Sequence, residues 1–196
     1  MHKAVGSITY ALASALLAVL SLTACRSTPA ASQAPPAQPL ELPRFMGTWY
    51  VVARIPNVIE RGHMSARSDY SLRDDGKIAV RYSYRTGPAQ PVEELNVVGS
   101  VVPGTGNRQW RMRFFRVVPT TQRVLEVAPD NSWALLDVPG RDLAWIYARA
   151  PTLTDAQYLD LRNRLSAHGV NVDKVWRVVQ REDDVGRRGF DQPDRP

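Results

Sequence analysis

From Phe45 onward the chain carries its hydrophobic residues in short runs, most of them alternating with polar ones, and a turn signal closes each run. Alternation with a period of two marks a strand with one buried face. The first run, Phe45 to Ile55, is aromatic and β-branched, and Pro56 stops it from continuing in a ladder. Asn57 to Met64 is polar and irregular, a long first loop. Ala66 to Leu72 and Lys77 to Tyr84 follow as strands around Asp74-Asp75-Gly76, a hairpin signal. Val92 to Val102, Gln109 to Val118, Gln122 to Val127, Trp133 to Val138 and Leu143 to Ala148 complete the series, separated by segments rich in Pro, Gly, Asp and Asn. The spacing predicts an all-β antiparallel meander that closes into a barrel or a sandwich. No helix-period segment interrupts it, which excludes a parallel α/β sheet.

Helical periodicity arises once, late in the chain. Thr154 and Gln157 form a capping box, Leu153 and Tyr158 fit a hydrophobic staple, and Tyr158, Leu161 and Leu165 share one face. Gly169 is placed to end the helix. Lys174 to Val179 reads as a short last strand at a sheet edge. Residues 181–196 are charged, with only Val185 and Phe190 apolar, and are expected to be disordered.

At 196 residues the chain can bury a real core as one domain. Its net charge of +6 comes largely from arginines scattered through the strands. That distribution suits solubility or an anionic membrane surface and gives no cluster for nucleic-acid readout. Residues 1–24 change the picture more. His2 and Lys3 precede an apolar segment, Ile8 to Leu22, too short to cross a bilayer, which is the pattern of a signal peptide. It ends in Leu22-Thr23-Ala24-Cys25, which resembles the bacterial lipoprotein box. That resemblance implies lipidation of Cys25, and Arg26 after it implies the outer membrane. Cys25 is the only cysteine, so no disulfide is available. Residues 25–43, rich in Pro, Ala, Gln and Ser, read as a flexible tether, leaving 44–180 as the domain.

Gly47-Thr48-Trp49-Tyr50 in the first strand, the antiparallel meander, Arg149 at the end of the eighth strand and the single late helix together resemble the lipocalin family. Tyr70 to Gly76 and Trp145 to Pro151 resemble its bacterial outer-membrane members, relatives of apolipoprotein D. The second family signature is poorly matched; Pro129-Asp130-Asn131-Ser132-Trp133 stands in its place with Asp130 retained. The resemblance implies an eight-stranded up-and-down β-barrel with one C-terminal α-helix packed outside. It also implies that Arg149 packs on Trp49 at the closed end, a structural role together with Gly47.

No zinc-ligand spacing, nucleophile elbow or phosphate-binding loop is present, so neither an enzyme nor a cofactor or metal site is expected. The leading reading is a lipid-anchored carrier of a fatty acid, lysophospholipid or similar amphiphile, facing the periplasm as a monomer or weak homodimer. The alternative is an envelope interaction module whose barrel is filled by its own side chains. Candidate wall residues are Trp145, Tyr82, Tyr84, Trp110, Met112 and Phe114, with Arg113 among the interleaved arginines that could meet an anionic head. Alternation defines two faces of each strand without saying which is inward.

Overall fold

Each alternating run forms a strand. They are β1 (Gly47–Arg54), β2 (Met64–Leu72), β3 (Ile78–Arg85), β4 (Glu93–Val101), β5 (Gln109–Arg113), β6 (Thr120–Val127), β7 (Trp133–Asp137) and β8 (Ala144–Ala148). The structure, a computed structural model, describes residues 38–113 and 119–193. Consecutive strands pair antiparallel, and β1 also pairs with β8, closing an eight-stranded up-and-down barrel. Closure pairs the eight barrel strands with one another and so removes the two free edges that an open eight-stranded sheet would present.

Strand β1 is where the ring closes, and it changes partners along its length. Gly47 to Tyr50 lie against β2, whereas Ala53 and Arg54 lie against β9 (Trp176–Val178). Its other edge follows β8, with a register shift between Val51 and Ala53. This bulge resets the alternation. Val51 opposite Tyr147 and Arg54 opposite Trp145 face the barrel interior, while Ala53 opposite Ile146 faces outward. Arg54 is therefore turned into the protein, fully buried.

The closed end is filled by aromatic rings. A one-turn helix, α1 (Leu42–Phe45), places the Phe45 ring 5.0 Å from that of Trp49 and edge-on to Tyr70 and Trp110, at 5.4 and 5.1 Å. Tilted and edge-on contacts set ring edges against ring faces, the favourable quadrupole arrangement. The chain is already folded before Pro43. Leu40 is buried, its N–H donates to Gly106 O at 2.8 Å, and its carbonyl accepts from Asn107 Nδ2 at 3.1 Å. The expectation of a tether up to residue 43 is corrected for its last residues: Leu40 has an apolar socket and backbone partners.

Outside the barrel lies α2 (Asp155–Ala167). Thr154 Oγ1 accepts from Gln157 N at 3.2 Å and Thr154 N donates to Gln157 Oε1 at 2.9 Å, the capping box that the spacing predicts. Val170 N donates to Leu165 O and Gly169 N to Ser166 O, with Gly169 at φ 83°, a Schellman ending. Leu161 and Leu165 pack on the outer faces of Ala53, Leu135 and Ile146.

Two expectations for the last residues are corrected. β9 is not at an edge, because β10 (Phe190–Asp191) pairs parallel with it. The segment 181–193 is not disordered: Phe190 and Asp191 are buried. Its anchor is Asp191 Oδ2, which accepts from Arg54 Nη2 at 2.7 Å and from Gly62 N at 3.3 Å. A buried arginine needs a counter-charge, and this segment supplies it. Residues 194–196 lie outside the described residues.

Candidate ligand-binding site

The barrel interior above the aromatic plug holds a cavity of about 180 Å³. Its walls are apolar, with Val80, Leu95, Val97, Met112 and Leu143 from three strands and the β7–β8 loop. Loop 55–63 leans over it from the end where β1 stops. Asn57 Oδ1 accepts from the backbone N–H groups of Ile59 and Glu60, at 3.0 and 3.2 Å, a turn that aims Glu60 at the cavity. The Glu60 carboxylate accepts from Trp145 Nε1 at 2.8 Å and from Asn57 Nδ2 at 2.6 Å. Exposed Val58 and Arg141 stand at the rim, so the cavity opens to solvent there.

The cavity floor is polar. Ser68 and Tyr70 of β2, Gln122 of β6 and Tyr147 of β8 line it, all buried. Ser68, Tyr70 and Gln122 are near enough to the Tyr147 hydroxyl to act on its proton. Burial, with the nearby Glu60 charge adding to it, pushes Tyr147 up to about 12. Burial first, and then its neighbours, raises Tyr70 and Tyr82 well above the ordinary phenol range. All three are fixed as neutral hydroxyls at any physiological pH.

Beside the cavity, His63 stacks on Tyr84 with ring centroids 3.5 Å apart, and its Nδ1 is 3.2 Å from the Tyr82 hydroxyl. Desolvation, helped by the positive charge of Arg54, lowers its pKa to about 4 from 6.5. In the unfolded chain the imidazole protonates first as pH falls. The neutral, stacked ring thus contributes stability that is complete above about 6.5 and is lost between there and about 4. Between pH 7 and 4.5 the loss is expected to be about 2 kcal/mol. Urea unfolding midpoints measured from pH 7 to 4.5 should fall more steeply for the natural protein than for His63→Gln; parallel curves would remove His63 from the account.

The structure divides the residues expected at the site. Tyr82, Met112 and Trp145 line the cavity. Trp110 faces inward but lies lower, against Phe45 and Tyr70, with Nε1 donating to Asn107 O at 2.7 Å; it belongs to the plug. Tyr84 is occupied by His63 and donates its hydroxyl to Glu93 at 3.1 Å. Arg113 is exposed, on the face of β5 opposite Met112, and so cannot meet a ligand inside the barrel. Phe114 and Cys25 fall outside the described residues. Glu60, Ser68, Tyr70, Gln122 and Tyr147 were absent from the sequence-based set. Tyr147 had a usable signal, since it follows Trp145 by two residues in one strand and must share its face.

At the opposite end the signature residues meet. Arg149 Cζ lies 3.6 Å from the centroid of the Trp49 ring, and its guanidinium donates to the carbonyls of Thr48, Phe45 and Met46 at 2.7, 3.1 and 2.9 Å. Gly47 has a φ of 96°, and a Cβ there would come within 3.3 Å of Arg149 Nη1, so both backbone and space call for glycine. The weakly matched loop at 129–133 also serves this end. Asp130 Oδ1 accepts from Ser132 N and Oγ, and Asn131 Nδ2 donates to Arg44 O at 2.8 Å. Among the described residues, no group of three His, Cys, Asp or Glu could hold a metal ion.

A closed eight-stranded calyx, sealed at one end by a tryptophan under an arginine and holding an apolar-walled cavity at the other, has the architecture of a small-ligand-binding barrel. The chain belongs to the lipocalin family: a lipocalin-like domain model matches residues 40–180. It is similar to the outer membrane lipoprotein Blc of Citrobacter freundii, 26% identical over 166 residues that cover 85% of this chain and 94% of that protein. Apolipoprotein D of Macaca fascicularis is 26% identical over 139 residues, covering 67% of this chain and 72% of the relative. Lobster apocrustacyanin A1 shares the fold, with a TM-score of 0.60 at 15% identity over 73% of this chain and 81% of the lobster protein.

Proposed function

We propose that this protein is a lipid-anchored lipocalin of a bacterial outer membrane that holds a small amphiphile, of the fatty acid or lysophospholipid kind, in its barrel. The observation that carries the reading is the apolar-walled cavity inside a closed barrel, open at the Glu60 rim. A barrel filled by its own side chains, as an interaction module would have, would leave no such space. The lipoprotein-like box ending at Cys25 and the similarity to Blc outer membrane lipoproteins support the location. In this reading Cys25 carries the acyl chains, the domain faces the periplasm, and the ligand is stored or moved for membrane maintenance without catalysis.

The test is native mass spectrometry of the purified protein together with fluorescence titration by lauroyl lysophosphatidylcholine and by fatty acids. A co-purifying lipid and saturable binding at micromolar concentration are expected; no response to any of these amphiphiles would reject the reading. Trp145 is the anchor of the wall, since its ring lines the cavity while its Nε1 holds Glu60 and so the loop above. Trp145→Ala should weaken lysolipid binding by about 1–3 kcal/mol, the worth of a buried aromatic side chain. Calorimetry on the folded variant reads this directly, and unchanged affinity would take Trp145 out of the site.

A further inference from the structure

We propose that the ligand reaches the cavity floor with an uncharged polar end, a hydroxyl or neutral carbonyl, so that the preferred class is a neutral amphiphile. This rests on the ligand-binding reading above and narrows it. Two observations carry it, one at the floor and one at the rim.

At the floor stand Ser68, Tyr70, Gln122 and Tyr147, only 3%, 4%, 7% and 4% exposed. A carrier built for the methyl end of an acyl chain would have aliphatic residues there, as it has in the walls above. Instead three hydroxyls and an amide face the cavity. Each hydroxyl has one donor and two acceptor lone pairs, so the group holds more acceptors than donors. An incoming O–H finds a lone pair, and the Gln122 amide or a tyrosine hydroxyl can donate to its oxygen in return. An apolar end would displace water from these groups and offer nothing in its place.

At the rim stands Glu60. It lines the same cavity, and its charge is felt by the hydroxyls of Tyr70, Tyr82 and Tyr147. The same field opposes a second anion among those hydroxyls, in surroundings where charges are weakly screened. Arg54, paired with buried Asp191 at 2.7 Å, offsets this field at Tyr82, but at the floor hydroxyls of Tyr70 and Tyr147 the Glu60 charge still acts. Arg141 is exposed at the rim, where water and salt weaken its reach. A carboxylate is thus penalised at the floor twice, by burial and by Glu60. A neutral hydroxyl is penalised by neither.

The experiment compares decan-1-ol with decanoate at pH 8, by tryptophan fluorescence titration of the purified protein. Because an alcohol outbinds its acid in any apolar pocket, the variants are diagnostic. Decan-1-ol should bind at least about tenfold more tightly than decanoate, and Tyr147→Phe should weaken decan-1-ol about fivefold to tenfold and so narrow its advantage over decanoate. Glu60→Gln, which keeps an acceptor for Trp145, should bring decanoate several-fold closer to the alcohol. If decanoate binds as tightly as decan-1-ol, or if folded Tyr147→Phe and Gln122→Leu both leave decan-1-ol binding intact, this inference is overturned and the ligand-binding reading stands. If neither compound binds, both fall together.

Discussion

Replacing Asp191 with alanine is expected to cost about 3–5 kcal/mol of folding stability, a large effect for a residue five from the end of the chain. The reason is the group it would abandon. Arg54 is fully buried, and its Nε and Nη1 have no hydrogen-bond partner among the described residues. Its Nη2 alone is served, by Asp191 at 2.7 Å and by the His63 carbonyl at 3.0 Å. Burial opposes the charge, but the acidic groups around it, Tyr82, Glu60 and Asp191, more than offset this and raise its pKa. Without Asp191 the guanidinium stays buried with one carbonyl, and it cannot escape by deprotonating. Urea denaturation of Asp191→Ala should show the loss, and the double variant Arg54→Met with Asp191→Ala should recover most of it. A single variant within about 1 kcal/mol of the natural protein would mean that the pair contributes little.

Trp49→Ala is expected to cost a similar amount, about 3–5 kcal/mol, by a different mechanism. The indole is fully buried and sits between Phe45, 5.0 Å away, and the Arg149 guanidinium, 3.6 Å away. Truncation would open a cavity at the closed end and leave the Phe45 carbonyl without its 2.7 Å bond from Nε1. It would also remove the face on which Arg149 lies while Arg149 holds three carbonyls of the 45–48 segment. In a domain of this size such a loss should lower the melting temperature by roughly 10 °C. A shift of only a degree or two would show that the plug repacks around the gap. Arg149→Lys should fall between, because an ammonium retains charge but cannot span several carbonyls with a planar fork.

The two losses act at opposite ends of the barrel and should leave the ligand cavity itself distinguishable from stability. Neither Trp49 nor Asp191 lines it, whereas Trp145, Tyr147 and Glu60 do. Folded variants of the second group therefore report on binding, and variants of the first on the frame.

What the sequence determined by itself was local. Period-two alternation and turn residues specified the strands, because a strand's neighbours along the chain already impose its two faces. Thr154 and Gln157 specified the start of α2, because the cap is made within four residues. Gly47, Trp49 and Arg149 could be matched as a family pattern before their contact was seen. What only the tertiary structure decided was the sign of each face and every partnership across the chain. The bulge in β1 turns Arg54 inward where strict alternation from Trp49 and Val51 would have placed Ala53. Arg113 and Met112 alternate in sequence, yet burial alone tells which meets a ligand. Ser68, Gln122 and Tyr147 look unrelated along the chain, and closure of the barrel brings them to one floor. The charged last segment reads as disordered because its composition has too little to bury. It is ordered by an ion pair spanning 137 residues, which no local pattern encodes.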